Sequence, residues 1–353
     1  AAGERHMRSI ALSSPESQSR LFREACVARD RALGQRAILR GVIEFTNVCH
    51  RNCAYCGMRA ANRELNRYAL STQDVEDAGV EAWQIGIGTL MIQGGDHLKY
   101  PIQGLCTAVD TLVHKHGLIV LLCIGDRPIR DYLRLREAGA SQAIVKFETS
   151  NERVYAALRP HSKLLDRLRL IENLHEMGYQ VSSGFIHGLP GTDNEDMEQD
   201  LKLVNSLPLF AASVSPFIPN DQSPLKGGKP ASLVSTLECI AQLRLNNPKL
   251  LIPSVSALNL VASFEGRKEK GQLLGLQAGA NVLTVNFTPV IQRSSYLIYT
   301  TRRSVVQLQD ALDLAKRAGL TISLDEPWGA WNQAISMRSG KGVGILGTPY
   351  LIS

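Results

Sequence analysis

Eight short apolar runs, separated by longer amphipathic stretches, constrain the fold of this chain more than any other feature. The runs cover residues 37–45, 90–93, 118–124, 142–147, 179–186, 212–217, 250–256 and 281–287. Most are continuous rather than alternating in polarity, the pattern of strands buried on both faces and therefore of a parallel sheet. Between them, residues 72–84, 102–115, 129–138, 162–177, 195–206, 232–245 and 268–278 repeat apolar side chains near helical spacing, and 304–318 follows the last run. Gly139 and Gly178 stand just past two of these stretches, where a helix end favours glycine. Eight βα units closing on themselves predict an α/β fold, a complete (β/α)8 TIM-type barrel over residues 37–320. Residues 14–33 predict a helical extension ahead of it, and the residues through His6 read as an appended leader before Met7. The tail, 321–353, has no clear period and is expected to be irregular.

The first apolar run leads into Cys49-His50-Arg51-Asn52-Cys53-Ala54-Tyr55-Cys56. A barrel carries its active site at the carboxyl ends of its strands, so this loop is expected at the mouth. Three thiolates spaced C-x3-C-x2-C can wrap three corners of one polynuclear centre, but cannot close a tetrahedral single-ion site alone. A zinc loop completed by His50 or a remote cysteine is the alternative, although no second paired motif accompanies it. The spacing, with an aromatic just before the last cysteine, resembles the signature of radical S-adenosylmethionine enzymes. That resemblance implies a 4Fe–4S cluster on Cys49, Cys53 and Cys56. The open iron would take the amino and carboxylate groups of S-adenosyl-L-methionine, with Tyr55 flanking the adenine.

Other strand ends supply matching candidates. Gln93-Gly94-Gly95-Asp96 resembles the family segment that anchors the methionine amine, with Asp in place of Glu; its glycines permit close backbone approach. Lys146-Phe147-Glu148-Thr149-Ser150 closes the fourth run, and Glu148 and Arg167 match family positions that clasp the ribose and the methionine carboxylate. As isolated charges they would read as surface ion pairs. Gly184-Phe185-Ile186-His187-Gly188 resembles the G-x-I-x-G stretch whose apolar side chain packs on adenine, but Gly191 stands where that pattern has an acid. His187 replaces an apolar residue and is expected to pack or hydrogen-bond locally. Gln93 and Lys146 are counted among the cofactor contacts. No catalytic acid or base is assigned; Cys123, Tyr296 and Tyr299 are candidates to line the cavity.

Longer stretches narrow the resemblance to the biotin synthase-like branch. Ile43-Glu44-Phe45-Thr46-Asn47-Val48-Cys49, Pro216-Phe217-Ile218-Pro219 and Asn286-Phe287-Thr288-Pro289 look like the [FeFe]-hydrogenase maturase of that branch. Asn66-Arg67-Tyr68 and Leu251-Ile252-Pro253 look equally like methylornithine synthase. The implied activity is a 5′-deoxyadenosyl radical acting on a small substrate or metal complex inside the barrel, with a flavodoxin or ferredoxin supplying electrons. Sulfur insertion of the biotin or lipoyl type is the second reading. It is weakened because Leu121 and Ser182 occupy the auxiliary-cluster positions and no cysteine follows Cys239. A non-catalytic iron–sulfur or zinc protein is a third. Cys26, Cys106 and Cys239 fall on helical stretches and are expected to pack.

Composition bears mainly on partners. The 39 Lys and Arg exceed the 33 Asp and Glu, but the cations are scattered among acids and aromatic residues make up only 6%. Nucleic acid is therefore not expected. No apolar run is long enough to span a bilayer and no signal peptide opens the chain, so neither a membrane partner is expected. Seven cysteines, an odd number, without such a signal suit a reducing cytoplasm rather than a disulfide framework, and the family resemblance implies an oxygen-sensitive enzyme.

Overall fold

A computed structural model describes residues 14–299 and 305–322. Seven strands form one parallel sheet: β1 (Ile38–Thr46), β2 (Thr89–Gly94), β3 (Ile119–Cys123), β4 (Gln142–Ile144), β5 (Gln180–His187), β6 (Leu209–Pro216) and β7 (Val282–Asn286). Their order is β6-β5-β4-β3-β2-β1-β7, so the sheet curls through its neighbours in chain order. Helices α1 (Pro15–Leu33), α2 (Thr72–Gln84), α3 (Ile102–Asp110), α4 (Ile129–Glu137), α5 (Glu152–Leu158) and α6 (Leu164–Glu176) lie in the first part. They are followed by α7 (Asn194–Ser206), α8 (Leu233–Asn246), α9 (Ala257–Phe264), α10 (Gly271–Gln277), α11 (Val290–Arg293) and α12 (Leu308–Arg317). A π-helical turn, Thr111–Lys115, extends α3.

The main core lies between sheet and helices. Leu39, Ile43, Phe45, Leu90, Ile92, Val120, Leu122, Phe147 and Phe185 pack outward against helical residues such as Val75, Leu105, Leu135, Ile171 and Leu201. A smaller set, Val42, Met91 and Leu121 with Cys123 and Ile144, fills the concave side. This division explains the continuous apolar runs: both faces of each strand are covered, one by helices and the other by opposing strands. Gly139 and Gly178 take φ of 108° and 83° after α4 and α6, the left-handed ends that the sequence marks.

Among the described residues the sheet has seven strands and curls as a half-barrel, and the eighth strand of the complete barrel expected from the sequence is not formed. Residues 250–256 form no strand; they touch β6 through a single Leu251–Ala211 bridge and β7 through a single Pro253–Val282 bridge. The Ile252 N–H is taken by the Asn281 side chain at 2.9 Å, and Pro253 has no N–H to give. Two successive ladder donors are thus lost. Arg244, wholly buried on α8, holds this segment by donating to the carbonyls of Pro248, Leu250 and Gly279 and to Asn281 Oδ1. Helices α5, α9 and the short α11 lie outside the helical stretches expected from the sequence. The N-terminal helix forms as α1 and packs on α8. Of the expected tail only residues 321 and 322 are described, and the start of the last helical stretch, Ser304, also lies outside the described residues.

Candidate active site

The cysteine loop follows β1 at the carboxyl end of the sheet. Arg67 braces it, donating to the carbonyls of Asn47, Met58, Arg59 and Asn62 at 2.7–2.9 Å. Asn47 ties its entry to Asn66 and Ser295 carbonyls. Further hydrogen bonds run from Ala54 N to Leu158 O and from Gly57 N to Ile298 O. On the other side, Gly95 leaves no room for a side chain: a Cβ there would lie 2.4 Å from Val48 O and 2.8 Å from Cys49 Cβ. All three loop cysteines are free. Burial pushes their thiols up, Cys49 to about 11 and Cys53 and Cys56 above the usual thiol range. Burial thus favours the neutral thiols, a cost that binding of a metal would offset. Among the described residues no three His, Cys, Asp or Glu side chains converge as a single ion would require.

Beside the loop stands a cluster of charges. Asp96, at the end of β2, accepts from Arg51 Nε at 3.0 Å, and its backbone carbonyl receives His50 N. Asp126, just past β3, accepts from Arg51, Arg159 and Arg167 together. Burial alone would raise this carboxyl, but the charges of Arg167, Arg159 and Arg51 hold it below the usual range. Glu148 follows β4 with φ 67°, a left-handed backbone that non-glycine residues rarely adopt. Its Oε1 accepts from the Tyr55 hydroxyl at 3.1 Å, with Arg159 and Arg167 near 4 Å. Its Oε2 is buried without a hydrogen-bond partner, 3.5 Å from Lys146 Nζ. Arg167 also donates to the Lys146 carbonyl, and Lys146 reaches Ser215.

The remaining candidates fall into an apolar wall and an interior row. Ile186 packs with Ala54, Leu158, Leu189 and Phe217 against Tyr55. A Cβ on Gly184 would strike Ser213, and one on Gly188, with φ 74°, would strike Ala231. His187 pairs with Ser235 at 2.8 Å, and burial lowers it to about 4. Glu44, Gln93 and Cys123 stand in register across β1, β2 and β3. Gln93 hydrogen-bonds Tyr296, which packs by Cys56. Tyr299 packs toward the main core instead. Gly94 sits against Phe45 and Thr46. Cys106 and Cys239 are buried on α3 and α8, and Cys26 lies half-buried on α1 with its thiol near the Gln277 carbonyl.

Comparison with known proteins agrees with this geometry. The Radical SAM superfamily matches residues 43–204. The [FeFe] hydrogenase maturase subunit HydE of Thermotoga maritima is 31% identical over 291 residues, 82% of this chain and 82% of that protein. This chain belongs to the radical SAM superfamily. A 3-methylornithine synthase of Methanosarcina barkeri is 28% identical over 282 residues, 79% of this chain and 78% of the relative. The crystal structure of methylornithine synthase (PylB) superposes with a TM-score of 0.79 at 23% identity, covering 92% of this chain and 93% of that one, which establishes a shared fold.

This radical SAM protein is thus an enzyme whose cofactors are a 4Fe–4S cluster and S-adenosyl-L-methionine. Its residues fit both groups: three free thiols in one braced loop, Cys53 buried and Cys49 and Cys56 half-buried, a glycine cradle against that loop, and a buried carboxylate oxygen lacking a hydrogen-bond donor. The sequence reading missed Arg51, Asp126 and Arg159. Asp126 lies just past a strand end, the position rule used for the other candidates, and could have been found by it. Arg51 and Arg159 carry no comparable signal, because only folding brings them to Asp126.

Proposed function

We propose that this radical SAM enzyme acts on a small molecule or metal complex held on the concave side of the sheet, in a reaction of the hydrogenase-maturase or methylornithine-synthase kind. The observation that carries the site assignment is Glu148: a strained backbone holds its carboxylate beside the cysteine loop with one buried oxygen free to accept. In this reading Cys49, Cys53 and Cys56 hold the cluster. Gly94, Gly95 and Asp96 meet the methionine amine, Glu148 accepts from the ribose hydroxyls, Arg167 receives the methionine carboxylate, and Tyr55 and Ile186 flank the adenine. Gln93 and Lys146 are further contacts to the cofactor. Held by these residues, a reduced cluster would supply the one electron for reductive cleavage of S-adenosyl-L-methionine to methionine and a 5′-deoxyadenosyl radical. Arg51 and Arg159 keep Asp126 fixed, so that Arg167 is already oriented for a second carboxylate.

The same reading joins residues 251–253 to β6 and β7 as the closure of a full cylinder, in a barrel spanning 37–320. Closure would keep solvent from a carbon-centred radical. It also implies a cytoplasmic enzyme fed by a flavodoxin or ferredoxin; no helix among the described residues is long and apolar enough to cross a membrane. The test is anaerobic reconstitution with 5′-deoxyadenosine assayed. Glu148→Ala and Arg167→Ala should each weaken S-adenosylmethionine binding by ~1.5–3 kcal/mol, the range for charged hydrogen bonds, and leave the brown cluster intact. Cys53→Ala should lose both chromophore and cleavage, and Cys26→Ala neither. Unchanged affinity in both charge variants would mean the cofactor lies elsewhere.

A further inference from the structure

Two side chains of the cysteine loop are tied to one carboxylate, that of Asp126. Arg51, between Cys49 and Cys53, donates directly to its Oδ2 at 3.1 Å. Tyr55, between Cys53 and Cys56, is reached through Arg159, which donates to the Tyr55 hydroxyl at 3.2 Å and to the same Oδ2 at 3.0 Å. The other oxygen, Oδ1, accepts from Arg167 on α6. We propose that Asp126 is a positioning residue, which sets the distance between the cysteine loop and the two groups that grip S-adenosylmethionine, Arg167 and Glu148. This rests on the assignment of Arg167 and Glu148 to the cofactor, and gives a role to a residue that does not itself touch it.

A ligand held at a loop-bound metal centre by one end and at a guanidinium by the other tolerates little error, since a displacement of about 1 Å can cost ~10²-fold in rate. The loop and Arg167 belong to separate elements, and the path of hydrogen bonds from Arg51 to Arg167 runs through Asp126. Asp126 is fixed from its own side as well. Its N–H donates at 3.3 Å to Asp96 Oδ2, the oxygen that also accepts from Arg51 Nε. Tyr132 holds the Gly125 carbonyl at 2.7 Å, and Gly125, at φ 78°, has no room for a side chain beside Asp96. Charge works in the same direction. The Arg159 and Arg167 side chains are only 6% and 7% exposed, so their repulsion is poorly screened by solvent and the carboxylate between them offsets it. An amide in its place would bring no charge and a single acceptor oxygen for three guanidinium groups.

Wild type, Asp126→Asn, Arg51→Gln and Arg167→Ala would be reconstituted anaerobically and compared by iron content, by S-adenosylmethionine binding, by EPR of the reduced cluster with and without S-adenosylmethionine, and by 5′-deoxyadenosine formation per assembled cluster. Asp126→Asn should keep about four irons per chain. Saturating S-adenosylmethionine should then leave part of its EPR spectrum unshifted, and kcat should fall ~10-fold or more while KM changes less than ~3-fold. A residue that only supports the fold would lower the amount of cluster, and each cluster formed would respond as in wild type. Arg51→Gln leaves Arg159 and Arg167 their carboxylate and breaks the tie to the loop, so it should show the same incomplete shift, and it decides if Asp126→Asn does not fold. A wild-type spectrum and kcat per cluster in either folded variant, with binding still impaired in Arg167→Ala, would overturn the proposal. Unchanged affinity in Arg167→Ala would overturn the cofactor assignment first, and the proposal with it.

Discussion

Gly95, just past β2, lies directly against the entry to the cysteine loop. With a Cβ position 2.4 Å from Val48 O, an added methyl must push backbone rather than a side chain. Gly95→Ala should cost ~1–3 kcal/mol of stability, the range for overpacking, and should displace Cys49. Iron and visible absorbance after anaerobic reconstitution should then fall well below wild type. Gly227→Ala, where a Cβ meets nothing within 4 Å, should retain both. Equal iron in the two variants would show that the loop tolerates the shift. The Gly-Gly-Asp segment was legible because glycine has a local meaning: it marks backbone approach wherever it stands at a strand end. The charges were only partly legible. Glu148 and Arg167 could be read from their places in a pattern. Arg51, Asp126 and Arg159 are separated by tens of residues, and an Asp with three Arg partners is a property of the fold.

At the scale of elements, α7 is docked onto the turn after β4 by Asp200, which accepts from Ser150 N at 2.5 Å while buried. Burial raises this carboxyl to about 7 from an ordinary value of 3.8. A raised carboxyl pKa means that the folded state favours the protonated form. The resulting stability is fully present below pH 3.8 and is lost as pH rises through about 7. Asp200→Asn keeps an oxygen acceptor for Ser150 and removes the charge. It should therefore match wild type near pH 4 and exceed it at pH 8 by an amount on the order of 2 kcal/mol, at 1.36 kcal/mol per unit with allowance for local relaxation. Urea unfolding of the metal-free proteins at the two pH values reads this directly. A difference independent of pH would rule out titration of Asp200 as its source. Elements themselves were legible where periodicity was sustained, as in α2, α7 and α8. Residues 250–256 were apolar enough to read as a strand, but pairing was decided by Asn281, whose side chain takes the Ile252 N–H. Sequence periodicity registers which faces are buried, and carries no information about where a backbone donor goes.

For the whole molecule, the side chains that line the concave side of the sheet bear on what reaction can occur. Sulfur insertion would require a second cluster with its own ligands on the concave side. The two strand positions that would supply them, Leu121 and Ser182, carry no thiolate and line a small cavity, about 20 Å³, at the end of the strands opposite the cysteine loop. Cys123 is the remaining thiol of the concave side among the described residues, packed with Val42, Met91 and Leu121, and burial lifts it to about 11. A single buried thiol seldom secures a cluster unaided. Complete anaerobic reconstitution should therefore load about four irons per chain, the content of one 4Fe–4S centre. Cys123→Ala should leave that number unchanged, while Cys49→Ala should remove nearly all of it. The product should carry no new carbon–sulfur bond. Reproducible loading of roughly six to eight irons, ~2 clusters by the same arithmetic, with the excess surviving removal of Cys49, Cys53 and Cys56, would reverse the choice. Ligands from outside the concave row would then have to hold a sulfur donor, and insertion would become the better account.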